Sequence, residues 1–257
     1  MLSATIPLLW RLSIFLVTGV AAGISNGVAG GGTFIVFPTM LAMGIGALQA
    51  NVSSSVGVVP SFVGGIRNFR SELGAHRDLI RALLPSCVLG TGAGCALLLS
   101  GSPSTFRLVV PWLIGAGTAL FALSPLITKR LAHFHDEHLG RRWALFVGVF
   151  VVSIYGGYFG AGLGILLLAV MAVTLPLDIH DIQGIRIVLS IVISSLAAVI
   201  FIIRGHLAWD AVYMFMIGTL VGGWLGTLLI RRLSANVVRG LIIATGVVTT
   251  LRLALTS

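Results

Sequence analysis

Two glycine-rich stretches of the chain leave backbone N–H groups without helix partners. Residues 24–33 read Ile-Ser-Asn-Gly-Val-Ala-Gly-Gly-Gly-Thr, and residues 154–163 read Ile-Tyr-Gly-Gly-Tyr-Phe-Gly-Ala-Gly-Leu. Each interrupts a long apolar run, so the backbone leaves the helix there and its freed polar groups need a partner. Each also precedes another apolar segment, which places free N–H groups and the positive end of a helix dipole at the break. Such a position suits an anion.

We predict that the two stretches together form one anion-binding site. The glycines of each turn supply backbone donors, and the neighbouring polar side chains add hydroxyl and amide donors. The alternative is that the glycines only allow close helix packing, which is the interpretation we prefer for Gly90-x-x-x-Gly94 and Gly222-x-x-x-Gly226. The binding residues predicted from the two stretches are Ser25, Asn26, Gly30, Gly31, Gly32, Thr33, Tyr155, Tyr158, Gly160 and Gly162.

The third apolar segment of each half begins with polar side chains. Residues 49–55 read Gln-Ala-Asn-Val-Ser-Ser-Ser, and residues 181–186 read Asp-Ile-Gln-Gly-Ile-Arg. Asn51 and Ser54 are three residues apart and share a helix face, which we expect to line the cavity. Hydrogen bonding between helices is the alternative for these two side chains. From the second half we add Gln183 and Arg186 to the predicted site.

Arg186 is the charged candidate. An ionisable side chain inside a membrane segment is a functional hypothesis by default, and a guanidinium would attract or steer an anion. It would equally pair with Asp178 or Asp181, or extend to the membrane surface. No Asp or Glu lies in the middle of any apolar segment, so strong coupling to a cation is not expected. With the inside negative, the membrane potential favours outward anion movement by about 2.3 kcal/mol per charge per 100 mV.

Composition places the chain among α-helical membrane proteins that cross the bilayer many times. Hydrophobic residues make up 57% of its 257 residues and charged residues only 9%. The net charge of +9 is explained by basic cytoplasmic loops, and no nucleic-acid partner is expected. The sequence contains no nucleophile motif, no CxxC and no cluster of His and Cys. We therefore predict that the protein is not an enzyme and holds no metal or cofactor.

The chain is an internal repeat. The second glycine stretch repeats the first with its glycines at matching places, and the Gly-x-x-x-Gly motif at 90–94 recurs at 222–226. We predict an N-terminal repeat over residues 1–130, a linker over 131–141 and a C-terminal repeat over 142–257. Each repeat holds about five hydrophobic segments, the second of which is too short to cross the bilayer easily. The first two segments of each repeat either both cross the bilayer as a thinned pair, or enter it and return on the same side as a re-entrant hairpin. These alternatives give 8–10 membrane segments in all. The predicted segments are 8–28, 32–46, 50–69, 79–100 and 105–127, and then 142–159, 162–176, 183–204, 208–230 and 235–254.

The basic residues predict the orientation of these segments. If the loop after the third segment is cytoplasmic, then 12 of the 16 Lys and Arg residues lie inside. Only Arg11, Arg107, Arg204 and Arg252 lie outside, together with both termini. Both alternatives leave an odd number of crossings in each repeat, so the two repeats enter the membrane from opposite sides. We therefore predict two inverted-topology repeats, with the short glycine-interrupted helices approaching each other at the centre.

Three quoted stretches resemble the TauE/SafE family, also called the sulfite exporter family. They are the Gly-Gly-Gly turn with Phe-Ile-Val-Phe-Pro over 34–38, the Gln-Ala-Asn of 49–51 leading to Val-Val-Pro at 58–60, and Gly-Tyr-Phe-Gly-Ala-Gly-Leu-Gly over 157–164. The similarity covers nearly the whole chain, including its duplication and basic linker.

The resemblance implies export of sulfite, sulfoacetate or related sulfonates across the bacterial inner membrane. We expect an inner-membrane exporter of small sulfur-containing anions that works by alternating access around the paired breaks. An anion channel, or an uptake permease for another small anion, is the alternative. The expected partners are the anion and the lipid bilayer, and a homodimer is left open.

Overall fold

Every regular element in the described part of the chain is helical. The computed structural model describes residues 7–28, 30–62, 76–131, 139–229, 240, 243–244 and 246–251. The predicted linker core and most of the last predicted segment lie outside these ranges. We number the α-helices in chain order as α1 Leu8–Val28, α2 Thr33–Ala42, α3 Ala47–Gly57, α4 Arg77–Ser100, α5 Pro103–Leu131, α6 Leu139–Tyr158, α7 Leu163–Thr174, α8 Ile179–Arg204 and α9 Trp209–Leu229, with a 3-10 turn at Val59–Phe62.

Three of the described helices are long and apolar enough to cross a membrane. They correspond to the spans Leu8–Gly27, Arg77–Ser100 and Asp181–Arg204, in α1, α4 and α8. α2 and α7 have only 10 and 12 residues. At 1.5 Å per residue they reach about 15 and 18 Å, well short of the hydrocarbon thickness of about 30 Å. The two helices that follow the glycine stretches are therefore too short to span the bilayer as straight crossings.

Local sequence explains where the short helices end. α2 finishes at Ala42, and Gly44 then adopts a left-handed conformation with φ +82°. The Gly44 and Ile45 N–H groups donate back to Leu41 O and Met40 O, which satisfies carbonyls that a helix end leaves free. α3 ends at Gly57, earlier than the predicted segment, because Pro60 lacks the N–H that a continuing helix would need. The rest of that predicted segment, 63–69, lies outside the described residues.

Each half of the chain contributes a helix that packs against a helix of the other half. α1 packs along α9, and α6 packs along α4. The paired Gly-x-x-x-Gly glycines of α4 and α9 make both contacts possible, because a methyl group on any of these four would crowd the backbone of the facing helix. The packing interpretation of these glycines is therefore confirmed. The contacts are Gly90 with Phe150, Gly94 with Ile154, Gly222 with Val20 and Gly226 with Ile24.

The outer surface of the molecule is apolar, and a minority of polar side chains lies buried among the hydrophobic core. Its outer surface carries many large apolar side chains, including Trp10, Leu89 and Trp224. A contiguous apolar surface of this kind marks a membrane-facing surface. Polar side chains such as Asn51 and Thr219 are fully buried between the helices instead. The interior is therefore the place where a polar ligand would find donors.

Candidate functional site

The first break lies between α1 and α2, and the structure describes its residues 30–32. Gly30 has φ +78°, which favours glycine, and its N–H donates to Ser25 O at 3.1 Å. The N–H of Gly32, at the start of α2, donates to Asn26 Oδ1 at 2.6 Å. Asn26 Nδ2 in turn donates to Ser61 Oγ at 2.9 Å. A side chain from α1 therefore caps α2 and occupies an N–H group predicted to bind the anion.

The second break, residues 159–162 between α6 and α7, begins with the same turn but then differs, because Gly162 has φ +76° where its equivalent Gly32 has φ −58°. Gly160 has φ +74°, and its N–H donates to Tyr155 O at 3.1 Å, as Gly30 does to Ser25. The position equivalent to Asn26 is Gly156, which has no side chain, and no described side chain accepts from the N–H of Gly162 as Asn26 does from that of Gly32. Tyr155 Oη instead donates to Ala161 O at 2.6 Å. The Gly164 N–H, in the first turn of α7, has no acceptor in the part of the chain that the structure describes.

The two breaks meet at Gly30 and Gly164. A methyl group placed on Gly164 would lie 3.5 Å from Gly30 Cα, so the two backbones are in direct contact. The same methyl would lie 2.5 Å from Arg186 Nη1, and a methyl on Gly30 would lie 2.9 Å from it. The guanidinium of α8 therefore sits at the contact between the breaks, which we call the junction. Its space exists only because both residues lack a side chain.

Arg186 is buried at the junction, and no described carboxylate forms an ion pair with it. Its relative exposure is 6%, so it does not extend to the surface. Asp181 contacts His76 instead, with 3.2 Å between Oδ2 and Nε2. Across the described residues, the guanidinium makes no ion pair or hydrogen bond, and its Nε is a buried donor without a partner. An isolated buried charge is costly, so this arrangement favours binding of an anion.

Asn51 and Ser54 are fully buried in α3, where they make contacts within the protein. Asn51 Nδ2 donates to Tyr158 O at 2.9 Å, which ties α3 to the end of α6. Ser54 Oγ donates to Asn51 O of its own helix at 2.9 Å. The Asn51 bond joins two helices, as the alternative to cavity lining had it, whereas the Ser54 bond stays within α3. The part of both residues in binding stays a prediction. Asn51 Oδ1 keeps no partner among the described atoms.

The remaining predicted residues surround the breaks without a contact that assigns them a role. Ser25 is buried, and its Oγ has no partner in the described ranges. Thr33 is buried at the first position of α2, and Gly31 is buried before it. Gln183 is half-buried, one turn before Arg186. Their part in binding, like that of Tyr158 and Gly162, stays a prediction.

Sequence reasoning missed two residues of the site, Gly164 and Ser61. The sequence did contain a signal for Gly164. When Gly30 is aligned with Gly160, Gly164 falls opposite Phe34 of the first repeat. A glycine where the other repeat has a large ring marks a place where something else needs the space. Ser61 had no such signal, since its role depends on Asn26 turning towards it.

The site offers recognition chemistry rather than bond-making chemistry. A guanidinium and backbone N–H groups bind oxyanions through charge-assisted hydrogen bonds. The described residues include no group of three or more His, Cys, Asp or Glu that could hold a metal ion. Cys87 and Cys95 are both buried free thiols.

Comparison with known proteins identifies relatives over nearly the whole chain. Residues 15–253 match the sequence model of the family described as sulfite exporter TauE/SafE. A curated protein of Haemophilus influenzae, described as a probable membrane transporter protein, is 22% identical over 236 residues, which cover 90% of each chain. No solved structure matches the chain.

Proposed function

Since the chain belongs to the TauE/SafE family of membrane transporters, we propose that it exports small sulfur-containing oxyanions through the junction of its two breaks. The substrate class follows from the family description, which names sulfite, and from the cationic character of the site. Sulfite, sulfoacetate and related sulfonates all present a compact group of negatively charged oxygens. The proposal assigns the protein no enzymatic reaction.

The observation that carries the proposal is the unpaired guanidinium of Arg186 between Gly30 and Gly164. A planar guanidinium presents parallel N–H donors that match two oxygens of an oxyanion. Gly164, at the positive end of the α7 dipole, adjoins the same guanidinium. An anion at the junction would satisfy a buried charge and a free backbone donor at once.

We further propose that the two halves are inverted repeats and that transport proceeds by alternating access. The reciprocal packing of α1 on α9 and of α6 on α4 supports a pseudo-twofold relation between the halves. Binding between two such repeats allows rigid-body rocking to expose the site to each side in turn. A conducting pore is the competing mechanism, and single-channel currents in planar bilayers would contradict alternating access.

The proposed location is the inner membrane, with both termini outside. Across that membrane, with the inside negative, the membrane potential favours export of an anion. Ser104 and Arg142, both exposed, lie on opposite sides in this topology. Cysteine introduced by Ser104→Cys should react with an impermeant maleimide added to whole cells, whereas Arg142→Cys should react only after permeabilisation. The reverse pattern would contradict the orientation, and the two buried native cysteines provide a low background.

Sulfite efflux from proteoliposomes tests the proposed site. Arg186→Gln removes the charge and should lower efflux at subsaturating sulfite by about 100-fold, because hydrogen bonds to charged groups contribute about 1.5–3 kcal/mol. Arg186→Lys keeps the positive charge but loses the planar guanidinium with its parallel N–H donors, and it should retain more activity than Arg186→Gln. The matched control Arg77→Gln removes an exposed arginine at the start of α4 and should transport normally. Wild-type efflux in Arg186→Gln would refute the site.

A further inference from the structure

A cavity of about 500 Å³ lies at the end of the bundle where α4 and α8 finish and α3 and α5 begin. We propose that this cavity, the vestibule, is a second binding site for the transported anion, distinct from the junction at Arg186. The inference rests on the proposed function and adds a subsite to it. The residues that carry it are Gly46, Gln49, Arg107, Arg204 and His206.

The vestibule carries positive charge that no acidic side chain balances. Arg107 and Arg204 line it together with His206, and its lining contains no Asp or Glu. Asp210, near this end of the bundle, pairs with Arg11 at 3.3 Å. Within the described ranges, neither Arg107 nor Arg204 has a carboxylate partner. A concave surface lined by one sign of charge concentrates ions of the opposite sign.

Backbone and amide donors face the same cavity. α3 begins there, and its N-cap residue Gly46 has no capping side chain. A methyl group on Gly46 would meet nothing within 4 Å, so the start of this helix borders open space. Gln49, in the first turn of α3, adds a side-chain amide. Guanidinium groups, an uncapped helix N-terminus and an amide are together a recognition set for a small oxyanion.

Aromatic rings pack α5 against the second break. Phe106 precedes Arg107 on α5, and its ring lies 5.9 Å from that of Tyr158 and 6.5 Å from that of Phe159. The Phe159 ring also makes an edge contact with Phe37 of α2, with 5.5 Å between centroids. The lining of the vestibule shares no residue with the junction, so the two are separate sites.

The opposite end of the bundle is arranged differently. Asp181 lies in the first turn of α8, and His76 directly precedes α4. Asp181 and His76 contact each other at 3.2 Å, so a carboxylate is present and occupied there. Gln49 carries no charge, and the vestibule stays cationic. The inference therefore assigns the subsite to one end of the transporter only.

Transport kinetics measured from each end of the bundle test the inference. Right-side-out and inverted membrane vesicles present the two ends separately, with ³⁵S-sulfite as the probe. The double variant Arg107→Gln, Arg204→Gln should raise KM about tenfold when sulfite is supplied at the vestibule end, with the maximal rate and the opposite KM unchanged. The control Arg77→Gln, Arg142→Gln makes the same charge change with exposed arginines elsewhere and should leave both KM values unchanged.

Ionic strength gives a second readout from the same vesicles. The wild-type KM at the vestibule end should rise with salt, because an open cavity is screened over a Debye length of about 8–10 Å. The double variant should lose this dependence. An unchanged KM in the double variant, or an equal change from both ends, overturns the vestibule and leaves the junction standing. Absence of wild-type flux with both sulfite and sulfoacetate overturns the proposed function and the vestibule with it.

A phospholipid headgroup has the same anionic chemistry as the free anion. A further experiment therefore distinguishes these two possible occupants of the vestibule. Wild-type protein is reconstituted in phosphatidylcholine alone and in phosphatidylcholine with phosphatidylglycerol. An equal KM at the vestibule end in both lipids supports the free anion as occupant. A KM raised by phosphatidylglycerol in the wild type, but not in the double variant, would assign the cavity to a headgroup and overturn the inference.

Discussion

The first and second breaks begin with the same turn and then diverge. Gly30 and Gly160 both have positive φ, and the N–H of each donates to the carbonyl five residues earlier. At the next matched glycine the backbones differ, because Gly32 has φ −58° and Gly162 has φ +76°. In the first break the N–H at the start of α2 is taken by Asn26. In the second, Gly156 stands in place of that asparagine, and the start of α7 lies against Arg186.

Steric surroundings show why the two breaks are not interchangeable. A Cβ on Gly156 would lie 2.8 Å from Ile193 Cγ2 and 3.0 Å from Leu163 Cδ1, so an asparagine there has no room. Phe34 fills the position in α2 that Gly164 leaves open in α7. The Phe34 ring lies 3.2 Å from where a methyl on Gly162 would be, so it packs against the second break, whereas the missing side chain of Gly164 leaves room for the Arg186 guanidinium.

The largest effect is expected when the second break is made more like the first. Gly164→Ala places a methyl 2.5 Å from Arg186 Nη1 and close to Gly30. The guanidinium must shift, and we expect sulfite efflux to fall by about 10–100-fold, as misplacement of a positioned group does. The measurement is initial efflux from proteoliposomes with equal amounts of inserted protein.

Gly92→Ala is the matched control, because a methyl on Gly92 would meet nothing within 4 Å. It makes the same change in α4, and efflux should stay within twofold of wild type. If both variants transport normally, the space beside Gly164 has no role in binding, and the contrast between the breaks is only structural.

An intermediate effect is expected in the first break, and it should appear in stability. Asn26→Ala removes the acceptor of the Gly32 N–H and the donor to Ser61 Oγ. Loss of a helix cap costs about 0.5–2 kcal/mol, so thermal unfolding in detergent should move to lower temperature by several degrees. Efflux by the protein that remains folded should fall much less than in Gly164→Ala.

Asn26→Asp sharpens this expectation. Aspartate keeps a cap acceptor for the Gly32 N–H, so stability should be largely retained, but it adds a negative charge beside the proposed anion path. A loss of efflux with an unchanged unfolding temperature would show that the first break still contributes to the electrostatic potential at the junction. A destabilised but fully active Asn26→Asp would show that it does not.

Local sequence predicted the features that local chemistry determines. Glycine stretches, apolar runs and Pro60 set where helices begin and end, and the matched Gly-x-x-x-Gly motifs indicated which faces pack closely. These features depend on backbone conformation and on side chains a few residues away. For that reason the breaks, the short helices after them and the packing glycines could be predicted.

Contacts between distant helices were not predictable in the same way. The breaks meet through Gly30 and Gly164 rather than through the equivalent pair Gly30 and Gly160. Asn26 turns towards Ser61 and Gly32, although its amide was predicted to bind the anion. Both contacts depend on which residues of one helix face another helix. A single sequence does not give this relative register of the helices.

The smallest effect is expected at Ser54, which shares a predicted face with Asn51. Its Oγ donates to Asn51 O within α3, and such a bond within one helix can be lost without leaving an unpaired donor on another element. Ser54→Ala should therefore change efflux by less than twofold and shift unfolding only slightly. Asn51→Ala should cost more, about 1 kcal/mol, because it removes the 2.9 Å bond that ties α3 to Tyr158 O at the second break. If Ser54→Ala instead abolished efflux without loss of stability, the hydroxyl would have to leave its own helix during transport. The α3 face would then belong to the anion path, and the binding role would extend beyond the second break to the first half of the chain.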